Sequence, residues 1–175
     1  MVRIILACVL LLGVHPAAWA DEAEPSVHIA KDGSIEGQIT LPFPESEVYH
    51  LLSDPVASSK LNRDVYDASS KRQGACEIVY RKVRGVWSPM TYRAKRCPTT
   101  HGWVEQLIDS ESVSDYYMEW ELERLSSGTR VKYKVRTQIN APIPTSIIQS
   151  ETKRSVTQML KNLLKKITGQ KKSKK

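Results

Sequence analysis

Proton transfer, nucleophilic attack and metal binding need a few side-chain types at fixed spacing, and this chain offers few of them. Beyond residue 20 its histidines are His28, His50 and His101. They fall in three separate segments with no second ligand at metal spacing and no His-Glu-x-x-His pattern. Glycine loops that cradle phosphates are missing, as is the Gly-x-Ser-x-Gly turn that presents a nucleophilic serine. The sequence therefore assigns no catalytic residue, no metal ligand and no cofactor. One carboxylate stands apart. In one register of its strand, Glu105 turns inward with Trp103 and Leu107, and a buried carboxylate is a group whose pKa can be tuned for acid–base work. The plainer reading leaves Glu105 at a cavity mouth or in solvent.

Cys76 and Cys97 offer redox chemistry instead. If 75–84 and 90–98 are two strands of a hairpin, one register sets these cysteines directly opposite each other, as a disulfide requires. The rival is two separate thiols. A pair of cysteines in an exported chain favours the bond.

Export is read from the start of the chain. A basic Met1-Val2-Arg3 precedes an apolar run from Ile4 to Val14, broken by His15-Pro16 and followed by Ala18-Trp19-Ala20. That is the layout of a secretory signal peptide over 1–20, cleaved after Ala20, and it places the protein outside the cell or in a periplasm. The run is too short to span a bilayer; a retained N-terminal anchor is the alternative. Cys8 lies too early in the run for a lipoprotein cysteine.

The 175 residues contain 26 Lys plus Arg and 19 Asp plus Glu, a formal charge of +7, with 41% hydrophobic and 26% charged residues. These values exclude wholesale disorder and a multi-span membrane protein. The basic excess is local. From Lys153 onward there are nine Lys or Arg and no acid, which leaves residues 21–152 slightly acidic. A nucleic-acid binder carries its basic patch on the fold itself, so no nucleic-acid partner is expected. The tail 170–175, with Lys171, Lys172, Lys174 and Lys175, is either a solvated end or a peripheral contact to an anionic membrane.

The elements follow from periodicity. Residues 21–33 are acidic and irregular and read as a flexible leader. Ile35, Gly37, Ile39, Leu41 and Phe43 alternate with polar residues, which predicts a strand ended by Pro42 and Pro44. An acidic first turn, Glu45-Ser46-Glu47, opens a short helix that Asp54-Pro55 stops. Val56–Leu61 allows a second helical turn. Six more strands are expected, at 64–71, 75–84, 90–98, 103–109, 114–125 and 130–140, separated by glycine turns. In the last hairpin, a Ser127-Gly128 loop would set Leu122 opposite Tyr133, Trp120 opposite Val135, Met118 opposite Thr137 and Tyr116 opposite Ile139. Glu123, Glu121 and Glu119 would then meet Lys132, Lys134 and Arg136 on the other face, the pattern of a one-sided sheet. After Pro142-Ile143-Pro144, Ser146 and Gln149 stand at capping-box spacing. Ile148, Val156, Met159, Leu160, Leu163 and Ile167 then form an apolar stripe on a helix of about twenty residues, with Gly169 as its stop.

This order resembles the START-like helix-grip superfamily of polyketide cyclases, lipid-transfer modules and coenzyme Q-binding proteins. The resemblance rests on Pro44-Glu45-Ser46-Glu47-Val48-Tyr49-His50-Leu51-Leu52-Ser53-Asp54, on Trp120-Glu121-Leu122 with Gly128-Thr129-Arg130-Val131-Lys132-Tyr133, and on Pro142-Ile143-Pro144. It implies an α+β helix-grip fold over 34–169. A curved, seven-stranded antiparallel sheet would wrap a long C-terminal helix, with one or two short helices after the first strand. It also implies an apolar cavity faced by Met118, Trp120, Tyr133 and Val135, with Met159, Leu160 and Leu163 opposite; Leu122 continues the same ladder. A dry core filled by these side chains is the plain alternative. The implied function is binding or transport of a lipid, sterol or quinone by a monomer. A cyclase- or dehydratase-like enzyme and a closed-core scaffold are the rivals.

Overall fold

In the computed structural model, residues 23–85 and 88–172 are described. The expected signal segment and residues 173–175 of the expected tail lie outside them. The elements run β1 (Ser26–Ile29), β2 (Ile35–Leu41), α1 (Glu45–Ser53), α2 (Pro55–Ser59), β3 (Val65–Gln73) and β4 (Cys76–Arg84). They continue as β5 (Pro89–Pro98), β6 (Gly102–Asp109), β7 (Val113–Leu125), β8 (Gly128–Ile139) and α3 (Thr145–Lys172). The strands form one antiparallel sheet in the order β1-β2-β8-β7-β6-β5-β4-β3. Register shifts at Val65/Asp67, Arg93/Ala94 and Val113/Asp115 mark bulges, which bend a sheet.

The sheet has eight strands, not seven, because the segment expected to be a leader contains β1. Acidic composition and Pro25 hide it in the sequence, and local bonds reveal it. Gly33, at φ 80°, turns the chain. Asp32 accepts from the Ser34 amide at 3.0 Å, and Lys134 on β8 reaches Asp32 at 3.0 Å.

The β7–β8 hairpin keeps the expected faces but moves the partners by two residues. Trp120 faces Tyr133, Met118 faces Val135, Leu122 faces Val131 and Tyr116 faces Thr137. Glu119, Glu121 and Glu123 meet Lys134, Lys132 and Arg130. The loop is Ser126-Ser127, since Gly128 already pairs with Leu125. A Cβ on Gly128 would sit 2.1 Å from the Leu41 carbonyl oxygen, so that glycine belongs to the strand and admits β2. Shifting by two leaves every side chain on its own face, and alternation alone does not distinguish the two registers.

Pro44 accepts from Glu47 and Val48 at the start of α1. Asp54 caps α2, accepting from the amides of Val56 at 2.8 Å and Ala57 at 3.0 Å, as a side-chain N-cap should. The long helix departs from expectation at both ends. Gln149 does not close a capping box; it donates to the Gly33 carbonyl at 3.2 Å and ties the β1–β2 turn to α3. Gly169 does not stop the helix, which has 28 residues and runs on to Lys172. Cys76 and Cys97 are joined as a disulfide, with Cα atoms 4.4 Å apart, the spacing of a directly opposed, non-hydrogen-bonded pair.

Candidate functional site

Where α3 rests on the sheet is set by a glycine. Gly37 points inward, and a Cβ there would lie 3.0 Å from both Leu160 Cδ1 and Val156 Cγ1. The helix therefore comes close to β1 and β2 and stands off from β4 and β5. Along this near half, Met118, Trp120, Leu122, Leu160 and Leu163 are all buried in the apolar core.

On the far half the sheet and helix diverge around a cavity of about 460 Å³, within the range of about 300–1,000 Å³ that accommodates drug-sized molecules. Its apolar walls include Met90, Val113, Val135, Ile139, Val156 and Met159. Of the residues expected to face a cavity, Tyr133, Val135 and Met159 line this one. Met118, Trp120, Leu122, Leu160 and Leu163 do not; they pack in the closed core beside it. The surface end is polar, lined by Arg84, Glu151 and Arg154. A small network closes one flank. Ser155 Oγ lies 3.1 Å from Asn62 Oδ1 and 3.0 Å from Asp64 Oδ2, and Asn162 donates to the Leu61 carbonyl at 2.8 Å. These bonds fasten α3 to the corner between α2 and β3.

Tyr92 and Tyr116 also line the cavity, and neither was singled out as a site residue from sequence. The missed signal is simple alternation: the hairpin register that opposes the two cysteines puts Tyr92 on the same face as Ala94. The rings of Tyr92 and Tyr116 meet at 4.7 Å, and Tyr133 rests on Trp120 at 4.4 Å.

Glu105 does turn inward, and it is fully buried. Arg81 from β4 grips it with both terminal nitrogens, Nη2 donating to Oε1 at 2.8 Å and Nη1 to Oε2. Arg96, opposite Glu105 in the register, brings Nε to 3.8 Å from the same carboxylate. Its Nη2 donates to the Leu52 carbonyl at 2.8 Å, and its guanidinium lies 4.7 Å from the Trp103 ring centre. Burial alone would push the Arg81 guanidinium down, but Glu105 holds it well above its ordinary value. Burial pulls Arg96 down, with Glu105 opposing. Glu105 is thus a counter-ion between two arginines rather than a free acid. Sequence reasoning missed both arginines, although each alternates in phase with buried apolar residues of its own strand.

Among the described residues, no group of three His, Cys, Asp or Glu side chains is placed to hold a metal ion.

No protein-family model matches the chain, and no curated protein matches it. Solved structures do. A START superfamily protein from Mycobacterium smegmatis superposes with a TM-score of 0.68 at 9% identity, covering 78% of this chain and 97% of that one. A STAR-related lipid transfer protein from Xanthomonas axonopodis gives 0.63 at 14% identity, covering 85% and 95%. The Zhui aromatase/cyclase from a Streptomyces species gives 0.59 at 12% identity, covering 78% and 92%. At such identities the likeness establishes the fold.

Proposed function

We propose that this chain, which has the START-like helix-grip fold, binds and carries a hydrophobic small molecule between its sheet and the first half of α3. The observation that carries the reading is the cavity of about 460 Å³, with apolar walls and a polar mouth, inside the helix-grip sandwich. Lipids, sterols and quinones of modest size suit it, since burying apolar ligand surface is the main gain and a few polar groups fix orientation. The lipid-transfer structure described above supports the same reading.

A cyclase- or dehydratase-like step on such a ligand is the second reading, favoured by the aromatase/cyclase likeness. The buried carboxylate best suited to proton transfer is held by Arg81, which favours carriage.

The test is extraction of the purified protein followed by mass spectrometry, combined with melting curves in the presence of candidate lipids, sterols and quinones. A ligand that binds only the native state raises the melting temperature with concentration. An empty extract and no shift with any candidate would leave the closed-core scaffold reading in its place.

Export belongs to this proposal as well. The Cys76–Cys97 disulfide supports it, because such bonds persist in oxidising compartments. A membrane contact through the C-terminal lysines is supported by the absence of any acid beyond Glu151 in the sequence.

A further inference from the structure

Tyr92, Tyr116 and Tyr133 bury their rings, yet none of their hydroxyls is among the buried, unpartnered polar atoms, so each keeps accessible surface where a hydrogen bond can form. Tyr92, Tyr116 and Tyr133 are only 8%, 8% and 9% exposed, and all three line the cavity. No described residue hydrogen-bonds to any of their hydroxyls. By contrast Tyr117, one residue along β7 and on the other face, donates to Glu119 at 2.7 Å. The three phenols come from three strands, β5, β7 and β8, yet form one group. Tyr92 stacks against Tyr116, and Tyr133 lines the same cavity.

Behind this group two arginines, Arg81 and Arg96, share one carboxylate, Glu105, and none of the three lines the cavity. Arg81 sits opposite Tyr92 in the β4–β5 register, but its guanidinium is engaged by Glu105. Arg96 turns instead to the Leu52 carbonyl and the Trp103 ring. Burial raises the Tyr116 and Tyr133 hydroxyls far above the usual phenol range, so they stay protonated donors. Arg96 Nε and Nη1 are without a hydrogen-bond partner, but Arg96 does not line the cavity, so a carboxylate brought to this end would lose its water without reaching that cation, a costly arrangement. A carbonyl oxygen has two lone pairs for two phenol donors, and the third phenol can accept from a hydroxyl.

We infer that Tyr92, Tyr116 and Tyr133 form a neutral hydrogen-bonding floor that receives the uncharged carbonyl or hydroxyl end of an otherwise apolar ring ligand and rejects a carboxylate. The inference rests on the cavity-binding reading above and narrows its ligand class.

Three probes of one skeleton test it: 9-fluorenone, fluorene and fluorene-9-carboxylate, titrated into the purified protein by calorimetry. Fluorenone should bind about two- to tenfold more tightly than fluorene, the range of one net hydrogen bond, and the carboxylate should bind weakest. Tyr92→Phe, Tyr116→Phe and Tyr133→Phe combined, a shape-conserving set, should bring fluorenone down to the affinity of fluorene and leave fluorene unchanged. Should the triple variant fail to fold, Tyr92→Phe and Tyr116→Phe singly should each narrow the preference. Equal binding of fluorenone and fluorene, or preference for the carboxylate, overturns the floor while leaving the cavity reading intact. If none of the three probes binds, the floor falls, and the extraction and melting-curve test above decides the cavity reading separately.

Discussion

The inner face of one sheet is built in two ways. Over β2, β7 and β8 it is apolar, with Ile39, Leu41, Trp120 and Leu122 buried in one core with Leu160, Leu163 and Ile167 of the helix. Over β4, β5 and β6 the same face carries Arg81, Arg96, Glu105 and Tyr92, all buried. The first half is closed because Gly37 lets α3 settle. The second half is not covered by α3; there Arg81 and Glu105 pair, while Arg96 Nε and Nη1 are buried without a hydrogen-bond partner. Burial here therefore has two sources. Helix packing buries the first half; the α1–α2 corner buries the second, through Arg96 on the Leu52 carbonyl and Arg81 on Ser59 Oγ at 2.7 Å.

Breaking the ionic half should cost most. Glu105→Gln leaves Arg81 and Arg96 buried without counter-charge and should lower stability by about 3–5 kcal/mol in urea unfolding. A loss below about 1 kcal/mol would mean that water already serves the arginines, and the contrast between the halves would fail. The closed half is sharpened by Gly37→Val. Its added methyls would meet Leu160 and Val156 and should cost about 1–3 kcal/mol by overpacking. An unchanged denaturation midpoint would show that the helix is free to rise. The smallest effect concerns the β1–β2 turn at the edge of the closed half. Hydrogen bonds from Ser34, then Lys134, hold the Asp32 carboxyl well below the usual carboxylate range. Its folded pKa lies below its unfolded one, so its contribution is present above about pH 4 and is lost as pH falls through the lowered value. Amide exchange in β1 should quicken on acidification below that point, and Asp32→Asn should remove this dependence.

Much of this was legible in the residues. Strict alternation in 114–125 and 130–140 told which face is buried, because the side-chain period is two whatever the register. The partner of each residue was not legible, since turn geometry at Gly128 decides it and both registers match charges. β1 was hidden because four residues carry too little pattern; its hold comes from Gly33, Asp32 and Lys134, contacts distant in sequence or specific to the turn. The cavity was placed one half too far along the helix. A heptad-like stripe says that Leu160, Leu163 and Met159 face the sheet, but only the close approach at Gly37 says where the gap between them closes. Arg81 and Arg96 were passed over because charged residues are rarely buried, and only the inward turn of Glu105 between them makes their burial tolerable.

The strand order has a consequence for the making of the protein. β2 pairs not with the next strand in sequence but with β8, Ile35 opposite Val135 and Leu41 opposite Thr129. An early strand of the sheet is therefore joined to its last strand, across a loop that includes most of the domain. Closing so long a loop adds little to the thermodynamic cost, which grows only with the logarithm of its length, but non-local pairing slows folding. As the chain emerges from the ribosome, the β1–β2 hairpin and the β3–β7 meander can each pair locally, but nothing joins the two until β8 appears. Only when β8 has appeared are the two joined, and only then can α3 settle against β1 and β2 and close the core.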